Sequence, residues 1–202
     1  MGLRERKKQR MYQGISDAAI ALFLENGFDG VSVEQVAAAA EVSKPTLFRY
    51  FSTKEDLALH RFADHEDEPS RVVEARPQGV SPLTALHEHF LACLLRRDPV
   101  TGLNDDPRIL AFHGLLYGTP RLVARLYVYM MRSEEALSVS LGGDATEARL
   151  AASQIVAVQR ILAQENWRRV EAGERAEDVY PSSVAAADRA FAQLCSGLVT
   201  YA

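Results

Sequence analysis

Three helix-start signals within residues 32–54 constrain this chain more than any other feature of its sequence. Ser32 precedes Gln35 by three residues, Ser43 stands two residues before Pro45, and Ser52 opens a third polar cluster. A serine ahead of a helix accepts a hydrogen bond from a free backbone N–H of the first turn, and proline is tolerated in that turn because its missing N–H has no helical partner. The spacing therefore predicts two short helices followed by a further one, with tight turns between them.

A longer amphipathic helix precedes this cluster. Ile15, Ala19 and Phe23 recur at the spacing of one buried helical face, and Gly27 follows as a stop signal. We predict this helix over about residues 10–26. Three helices in a short stretch, two of them brief and closely linked, form a helix-turn-helix unit.

The remainder of the chain carries further helix signals. Capping residues stand directly before proline at Ser81, Asp106 and Thr119, which is typical of helix starts. We predict helices over residues 82–97, 107–117, 120–141 and 145–172, and loops over 66–80 and 174–181. No segment alternates like a strand. The predicted fold class is all-α with about nine helices, comprising an N-terminal helix-turn-helix domain over 1–56 and a C-terminal helical domain over 57–202.

Composition excludes several classes of protein. With 202 residues and 48% hydrophobic side chains, the chain can bury a sizeable core. Its apolar runs are shorter than the roughly 20 residues of a membrane-spanning helix, and no secretion signal is recognisable, so we expect a cytoplasmic protein. Cys93 and Cys195 lie far apart, with no second cysteine close to either, which predicts free thiols and no metal site; we also expect no cofactor.

The distribution of charge is more informative than the net charge of -4. Residues 1–10 contain Arg4, Arg6, Lys7, Lys8 and Arg10 against a single glutamate, whereas the chain beyond residue 60 carries the net negative charge. A basic N-terminal arm attached to a negatively charged domain is typical of a protein that binds specific DNA sequences and avoids nonspecific DNA binding. The arm has two interpretations: it follows the minor groove or the phosphates, or it is a solubilising tail.

Residues 28–57 read FDGVSVEQVAAAAEVSKPTLFRYFSTKEDL, and this segment resembles the DNA-binding domain of TetR-family regulators. The two-turn helix, Val-Ser, Lys-Pro-Thr-Leu, the aromatic cluster and Lys-Glu-Asp-Leu follow the family's order and spacing. Beyond this domain the chain resembles the family in helix number and length, and residues 165–174 are loosely similar to actinobacterial members. The resemblance implies a homodimeric repressor that binds a palindromic operator and is released by a small-molecule effector.

The third helix is the candidate recognition helix. Leu47 and Phe51 are four residues apart and can anchor one face, which turns the opposite face toward the DNA major groove. Phe48 falls on the border between core and groove. Ser32 resembles a phosphate contact of the family. The predicted DNA-contacting residues are Ser32, Gln35, Lys44, Pro45, Thr46, Phe48, Arg49, Tyr50 and Lys54.

Two acidic residues depart from the family pattern. Glu41 stands where the turn usually has glycine, and a left-handed conformation there would cost roughly 1 kcal/mol. Glu34 stands where a basic residue would help DNA binding. We expect a small change in the turn or a tempered affinity, with the fold unaffected.

By the same resemblance, helices between residues 57 and 141 surround an effector pocket, and the effector separates the two DNA-reading heads of the dimer. Aromatic bulk with a few polar tips suits a small-molecule cavity, so we expect an apolar or aromatic effector. The alternative for each residue is ordinary core packing. The candidate lining residues are Phe62, His87, Phe90, Leu94, Phe112, His113, Leu116, Tyr117, Tyr127 and Met130.

Two late helices each present a narrow apolar seam, with residues stepping by three and four. We interpret the seams as a four-helix dimer interface, and the alternative is that they bury against the same subunit's core. The predicted interface residues are Ile155, Val158, Leu162, Val184, Ala187, Phe191, Leu194 and Leu198.

Catalysis is the main rival class, and the sequence argues against it. His87 and His89 are two residues apart and so point to different sides of a helix, and His65 lies in an acidic segment typical of a solvated loop. No nucleophile motif or phosphate-binding glycine loop is recognisable. We therefore expect a protein that is not an enzyme. An activator or architectural DNA-binding protein without an effector remains the alternative.

Overall fold

The computed structural model describes residues 2–63 and 65–202, and it describes side chains for all of these except 3–5 and 61–63. Within these ranges the protein is helical and has no β-strand, which confirms the predicted all-α class. None of the described helices is long and apolar enough to span a membrane.

The described ranges contain ten α-helices, one more than expected, and two 3-10 turns. The α-helices are α1 (Leu3–Asn26), α2 (Val33–Ala39), α3 (Lys44–Tyr50), α4 (Lys54–Ala63), α5 (Glu68–Ala75), α6 (Pro82–Leu95), α7 (Pro107–Gly118), α8 (Pro120–Leu141), α9 (Ala145–Glu171) and α10 (Ala176–Gly197). The 3-10 turns are Pro99–Thr101 and Val199–Tyr201.

Three predicted boundaries are wrong. Helix α1 begins at Leu3, because the charged residues of the arm are good helix formers although they carry no apolar stripe. The predicted loop over 66–80 contains α5, whose buried face is only Ser70 and Val73. The predicted loop over 174–181 is largely the start of α10, in which Pro181 lies inside the helix. A proline in the interior removes one N–H and normally argues for a helix end.

The chain divides into two compact units. The N-terminal unit comprises residues 2–63 with Ala111–Val128, and the C-terminal unit comprises His65–Leu110 with Tyr129–Ala202. Helices α7 and α8 therefore contribute residues to both. The predicted domain boundary after residue 56 stays a prediction, because compactness does not say which part works as a separate domain.

The N-terminal unit is held together by an apolar core and a buried ion pair. Ile15 and Phe23 of α1 are each 1% exposed. Asp56 of α4 accepts two hydrogen bonds from Arg125, at 2.7 Å from Nε and 3.1 Å from Nη2, and also accepts one from the backbone N–H of Thr53 at 3.1 Å. The carboxylate thus caps α4 and binds α8 at once. Such a bidentate pair stabilises the unit while both partners are present.

The C-terminal unit packs α6, α9 and α10 around Leu86, Leu94 and Phe191. A buried polar chain crosses this core: Ser183 donates to Oδ1 of Asn166 at 2.6 Å, and Nδ2 of Asn166 donates to the carbonyl of Thr101 at 3.0 Å. Buried amides are tolerated when such hydrogen bonds satisfy them. These two hydrogen bonds fix α10 and the Pro99–Thr101 turn to α9.

The predicted dimer seams lie partly inside this core. Half of the predicted residues are fully enclosed by the C-terminal unit itself, which is the alternative that the sequence left open: Ile155, Ala187, Phe191 and Leu194. The other half are partly buried against the same core: Val158, Leu162, Val184 and Leu198. Of the predicted residues, only the second group keeps surface for a partner.

The turn between α2 and α3 has the left-handed residue that the sequence suggested. Glu41 has a φ of 54°, where a side chain is strained. Replacing Glu41 with glycine is expected to raise the free energy of unfolding by about 1 kcal/mol, because glycine adopts this conformation without strain. Urea denaturation measures the change. Glu41→Gln is the matched control, since it removes the charge and keeps the strain; equal stability of the two variants would contradict the prediction.

Candidate nucleic-acid interface

Helices α2 and α3 are fixed at both N-termini by serine caps. The side chain of Ser32 accepts from the backbone N–H of Gln35 at 3.2 Å, and Oε1 of Gln35 accepts from the backbone N–H of Ser32 at 2.7 Å. Ser43 accepts from the backbone N–H of Thr46 at 3.2 Å. These are the caps that the sequence predicted. Each cap satisfies backbone donors that would otherwise lack a partner, so both short helices begin at fixed positions.

The tight turn holds the two helices together. The N–H of Val42 donates to the carbonyl of Ala37 at 2.9 Å, and the N–H of Glu41 donates to the carbonyl of Ala38 at 3.1 Å. This double closure is a Schellman-type helix end with its left-handed residue at Glu41. Residues at the start of α2 therefore keep a fixed position relative to those at the start of α3.

Helix α3 has the buried and exposed faces that the sequence predicted. Leu47 and Phe51 are buried, at 1% and 3% exposure. Phe48, whose position was ambiguous, is 44% exposed and so lies on the solvent side. The candidate contacts of the same helix are exposed at Lys44, Pro45 and Arg49 and half-buried at Thr46 and Tyr50.

An aromatic cluster that the sequence reasoning missed supports the end of α3. Tyr12 of α1 meets Tyr50 edge to face with ring centroids 4.8 Å apart, and it stacks on His60 of α4 at 5.1 Å. The guanidinium of Arg49 lies 5.5 Å from the ring of Tyr50. Tyr12 extends the apolar stripe that begins at Ile15 by one helical turn, so the periodicity of α1 could have pointed to it. The ring contact with Tyr12 limits the rotation of the Tyr50 side chain and holds it in position.

Lys54 has partners inside the N-terminal unit. Its ammonium donates to the carbonyl of Phe28 and lies 4.3 Å from the Phe28 ring centroid and 5.4 Å from that of Phe23. Burial lowers the pKa of Lys54. The side chain therefore joins the start of α4 to the segment before α2, and the predicted phosphate contact remains a proposal.

Lys44 and Glu34 form an ion pair across the turn. The ammonium of Lys44 donates to the Glu34 carboxylate, and it also lies 6.0 Å from the ring of Phe48. Both charged side chains stay open to solvent, with 51% and 61% of their surface exposed. The hydrogen bond from Lys44 lowers the pKa of Glu34, which keeps the carboxylate ionised. The sequence identifies Glu34 as a departure from the family pattern, but it does not predict the contact between Glu34 and Lys44.

The basic arm lies on the same unit as these helices. Lys7 and Arg10 of α1 line an open groove with Met11, the end of α2 and Glu41 of the turn. The described cations of the arm, from Arg6 onward, are exposed, whereas the side chain of Arg4 lies outside the described residues. Cations beside the turn raise the positive potential where DNA would approach.

The candidate effector-pocket residues are distributed over both units. The N-terminal unit contains Phe112, His113, Leu116, Tyr117 and Tyr127, the C-terminal unit contains His87, Phe90, Leu94 and Met130, and the side chain of Phe62 lies outside the described residues. Phe90 and Leu94 are core residues of their unit. Nε2 of His87 lies 2.9 Å from Asp188, so this side chain is already paired.

His113 differs from the other candidates. It is 4% exposed, and its Nδ1 has no hydrogen-bond partner among the described residues. Burial lowers the pKa of His113 to about 4, so the imidazole is neutral near pH 7. A neutral ring can donate from one nitrogen and accept at the other.

A capped α2–turn–α3 arrangement with an exposed recognition face defines the class of helix-turn-helix proteins. A family model described as "Bacterial regulatory proteins, tetR family" matches residues 15–60. The chain is 38% identical over 135 residues to the HTH-type transcriptional regulator TcmR of Streptomyces glaucescens. That match covers 66% of this chain and 58% of TcmR, so the chain spans little more than half the length of this relative. Residues 15–60 therefore resemble the DNA-binding domain of tetR-family regulatory proteins, and the chain is similar to a transcriptional regulator.

Solved structures agree with this assignment at the level of fold. NalD, described as the secondary repressor of the MexAB-OprM multidrug efflux pump in Pseudomonas aeruginosa, superposes with a TM-score of 0.59 at 20% identity, covering 91% of this chain and 96% of NalD. The SmeT–triclosan complex superposes with a TM-score of 0.57 at 17% identity, covering 91% of each chain. The named relatives are transcriptional regulators and not enzymes.

Proposed function

We propose that this protein is a ligand-responsive transcriptional repressor that binds a palindromic operator as a homodimer and is released by a small-molecule effector. The observation that carries the proposal is the recognition helix. Leu47 and Phe51 are buried, while Lys44 and Arg49 on the same helix are exposed. A short helix anchored on one side and cationic on the other is suited to the major groove.

The proposed DNA contacts fall into two chemical classes, contacts to base edges and contacts to phosphates. Lys44 begins α3 and can donate to guanine O6 and N7, while Pro45 and the methyl group of Thr46 can touch thymine methyls. Arg49 and Tyr50 suit phosphate oxygens, which position the helix without reading sequence. Ser32 and Gln35 at the start of α2, with Lys54 at the start of α4, complete the proposed set. Gln35 keeps an amide group with two N–H donors after its oxygen has been used in the cap.

The dimer is proposed to form through α9 and α10. Leu150 and Ile161 lie on one exposed face of α9, with exposures of 59% and 55%. Their spacing of eleven residues is about three helical turns, so they share a stripe. Val158 and Leu162 are partly buried near this stripe and retain surface for a partner. A palindromic operator requires two copies of α3, and a twofold interface supplies them.

The effector is proposed to be apolar or aromatic with one polar group. The structural relative SmeT is a complex with triclosan. In this chain, Phe112 and Leu116 are buried beside His113 on α7. The unpaired nitrogen of the neutral imidazole suits one hydrogen bond to a ligand, and a buried group of this kind gains most from finding a partner.

The first experiment measures binding of the full chain to DNA fragments from upstream of its own gene and neighbouring genes. Fluorescence anisotropy at two salt concentrations, with nonspecific competitor, separates specific binding from charge attraction. Specific, competitor-resistant binding by a dimer supports the proposal, and light scattering gives the oligomeric state. Effector screening then asks which compounds release the bound fragment. Binding that competitor abolishes on every fragment would contradict the proposed role.

Replacing Arg49 with alanine is expected to weaken operator binding about tenfold and to reduce the salt slope by about one, because one phosphate contact is lost. The matched control is Arg108→Ala, which removes an exposed arginine from the start of α7. The control should bind as the wild type does. Equal affinities of both variants, with unchanged melting temperatures, would mean that this face of α3 does not meet DNA.

A further inference from the structure

The contact between Glu34 and Lys44 places an acceptor and a donor side by side on the proposed DNA-facing surface. Glu34 is the second residue of α2 and Lys44 is the first residue of α3. Their charged groups are hydrogen-bonded to each other, and each remains at least half exposed. In this arrangement a carboxylate oxygen of Glu34 lies within hydrogen-bonding distance of the Lys44 ammonium.

A guanine·cytosine pair offers the complementary pattern. In the major groove, guanine presents the acceptors N7 and O6, and cytosine presents the N4 amino group as a donor. Guanine O6 and cytosine N4 are partners within the base pair, about 2.9 Å apart. A directly paired ammonium and carboxylate match this spacing. The ammonium has three N–H donors and can serve O6 and N7 together, while the carboxylate accepts from N4.

An adenine·thymine pair fits less well. It also places a donor beside an acceptor, but it offers the ammonium a single oxygen, O4 of thymine, beside a methyl group. The carboxylate, which accepts from N6, then has adenine N7 as its neighbour, and two acceptors repel each other. The order of donors and acceptors along the major-groove edge thus distinguishes a guanine·cytosine pair from an adenine·thymine pair.

The structure around Glu34 favours a role in recognising a DNA base. The caps at Ser32 and Ser43 fix the two helix starts, and the double hydrogen bond of the turn fixes α2 to α3. A side chain on a fixed element reads a base more selectively than one on a loop. A lone carboxylate close to DNA phosphates would be repelled, and its contact with Lys44 offsets much of that repulsion.

We propose that Glu34 and Lys44 together read one guanine·cytosine pair in each operator half-site, with Lys44 on guanine and Glu34 on cytosine N4. The assignment rests on the proposed function, since it concerns the same DNA-binding surface. It makes Glu34 a specificity-determining residue, in contrast to the penalty that its charge alone suggests.

Selection from a randomised double-stranded DNA library tests this assignment with the full-length protein. The variants are Glu34→Ala and Lys44→Ala, and the matched control is Glu25→Ala, which removes an exposed carboxylate from α1 of the same unit. Thermal melts confirm that each variant is folded. We expect wild type and control to select the same palindrome, and both test variants to lose the preference for guanine·cytosine at one shared position per half-site.

Affinities on the selected site give the size of the effect. Changing the shared pair to adenine·thymine is expected to weaken wild-type binding on the order of tenfold, and to weaken binding by Glu34→Ala less than about threefold. An unchanged preference in Glu34→Ala, a shared position that prefers adenine·thymine, or a uniform gain in affinity for all sequences would overturn the assignment. If the wild type selects no sequence at all, the proposed function fails first.

Discussion

Replacing Gly102 with alanine is expected to lower the free energy of unfolding of the C-terminal unit by about 4 kcal/mol or more. Gly102 has a φ of 68°, and a β-carbon placed there would lie 2.0 Å from the carbonyl oxygen of Ala163 and 3.0 Å from the backbone nitrogen of Trp167. Both neighbours belong to the backbone of α9 and cannot rotate away. The turn that carries Gly102 would have to move off α9, which would also break the hydrogen bond from Asn166 to Thr101.

Gly142→Ala is a closely matched control. Gly142 has a φ of 66°, and a β-carbon added there would meet no described atom within 4 Å. This variant carries the backbone strain alone and should cost about 1 kcal/mol. Urea unfolding followed by circular dichroism measures both variants. A loss for Gly102→Ala no greater than that of Gly142→Ala would mean that the turn relaxes away from α9 without difficulty.

Replacing Arg125 with methionine is expected to lower the free energy of unfolding of the N-terminal unit by about 3–5 kcal/mol. The change leaves the carboxylate of Asp56 with little solvent and without its bidentate partner, since the Asp56 side chain is 9% exposed. Most of the expected loss comes from this buried charge, which loses its counter-ion. Methionine fills a similar volume, so packing changes are small.

Two further variants separate this effect from a general sensitivity of α8. Arg121→Met removes an arginine one turn earlier, where its contact with Asp29 is exposed at 71% and 77%, and should cost less than about 0.5 kcal/mol. Asp56→Asn combined with Arg125→Met should recover part of the loss, because the buried charge is then absent. A double variant as unstable as Arg125→Met alone would show that packing, and not charge, accounts for the loss.

The parts of the fold that the sequence predicted are those determined locally. The serine caps of α2 and α3, the anchors Leu47 and Phe51 and the left-handed Glu41 each depend on residues within one or two helical turns. Local hydrogen bonds and side-chain periodicity are sufficient to specify them. The buried and exposed faces of α3 could therefore be predicted from the amino-acid sequence, while the role of the exposed face in DNA contact stays a proposal.

Several of the features that were missed depend on residues distant in sequence. Asp56 and Arg125 are 69 residues apart, and Gly102 needs its left-handed turn because α9 passes against it. Phe191 lies on a seam that looked suited to a partner, yet it is enclosed by its own unit. Periodicity shows that a helical face is apolar, but it does not identify what covers that face.

The composition of the N-terminal unit bears on how regulators of this kind can be recombined. A chimera that transplants residues 1–63 onto the C-terminal part of another protein would separate Asp29 and Asp56 from Arg121 and Arg125, which lie in the segment Ala111–Val128. The transplanted segment would keep α3 and lose the buried counter-ion of Asp56. The N-terminal compact unit of this protein is discontinuous in sequence, so a chimera must transfer both chain segments or supply an arginine at the position facing Asp56.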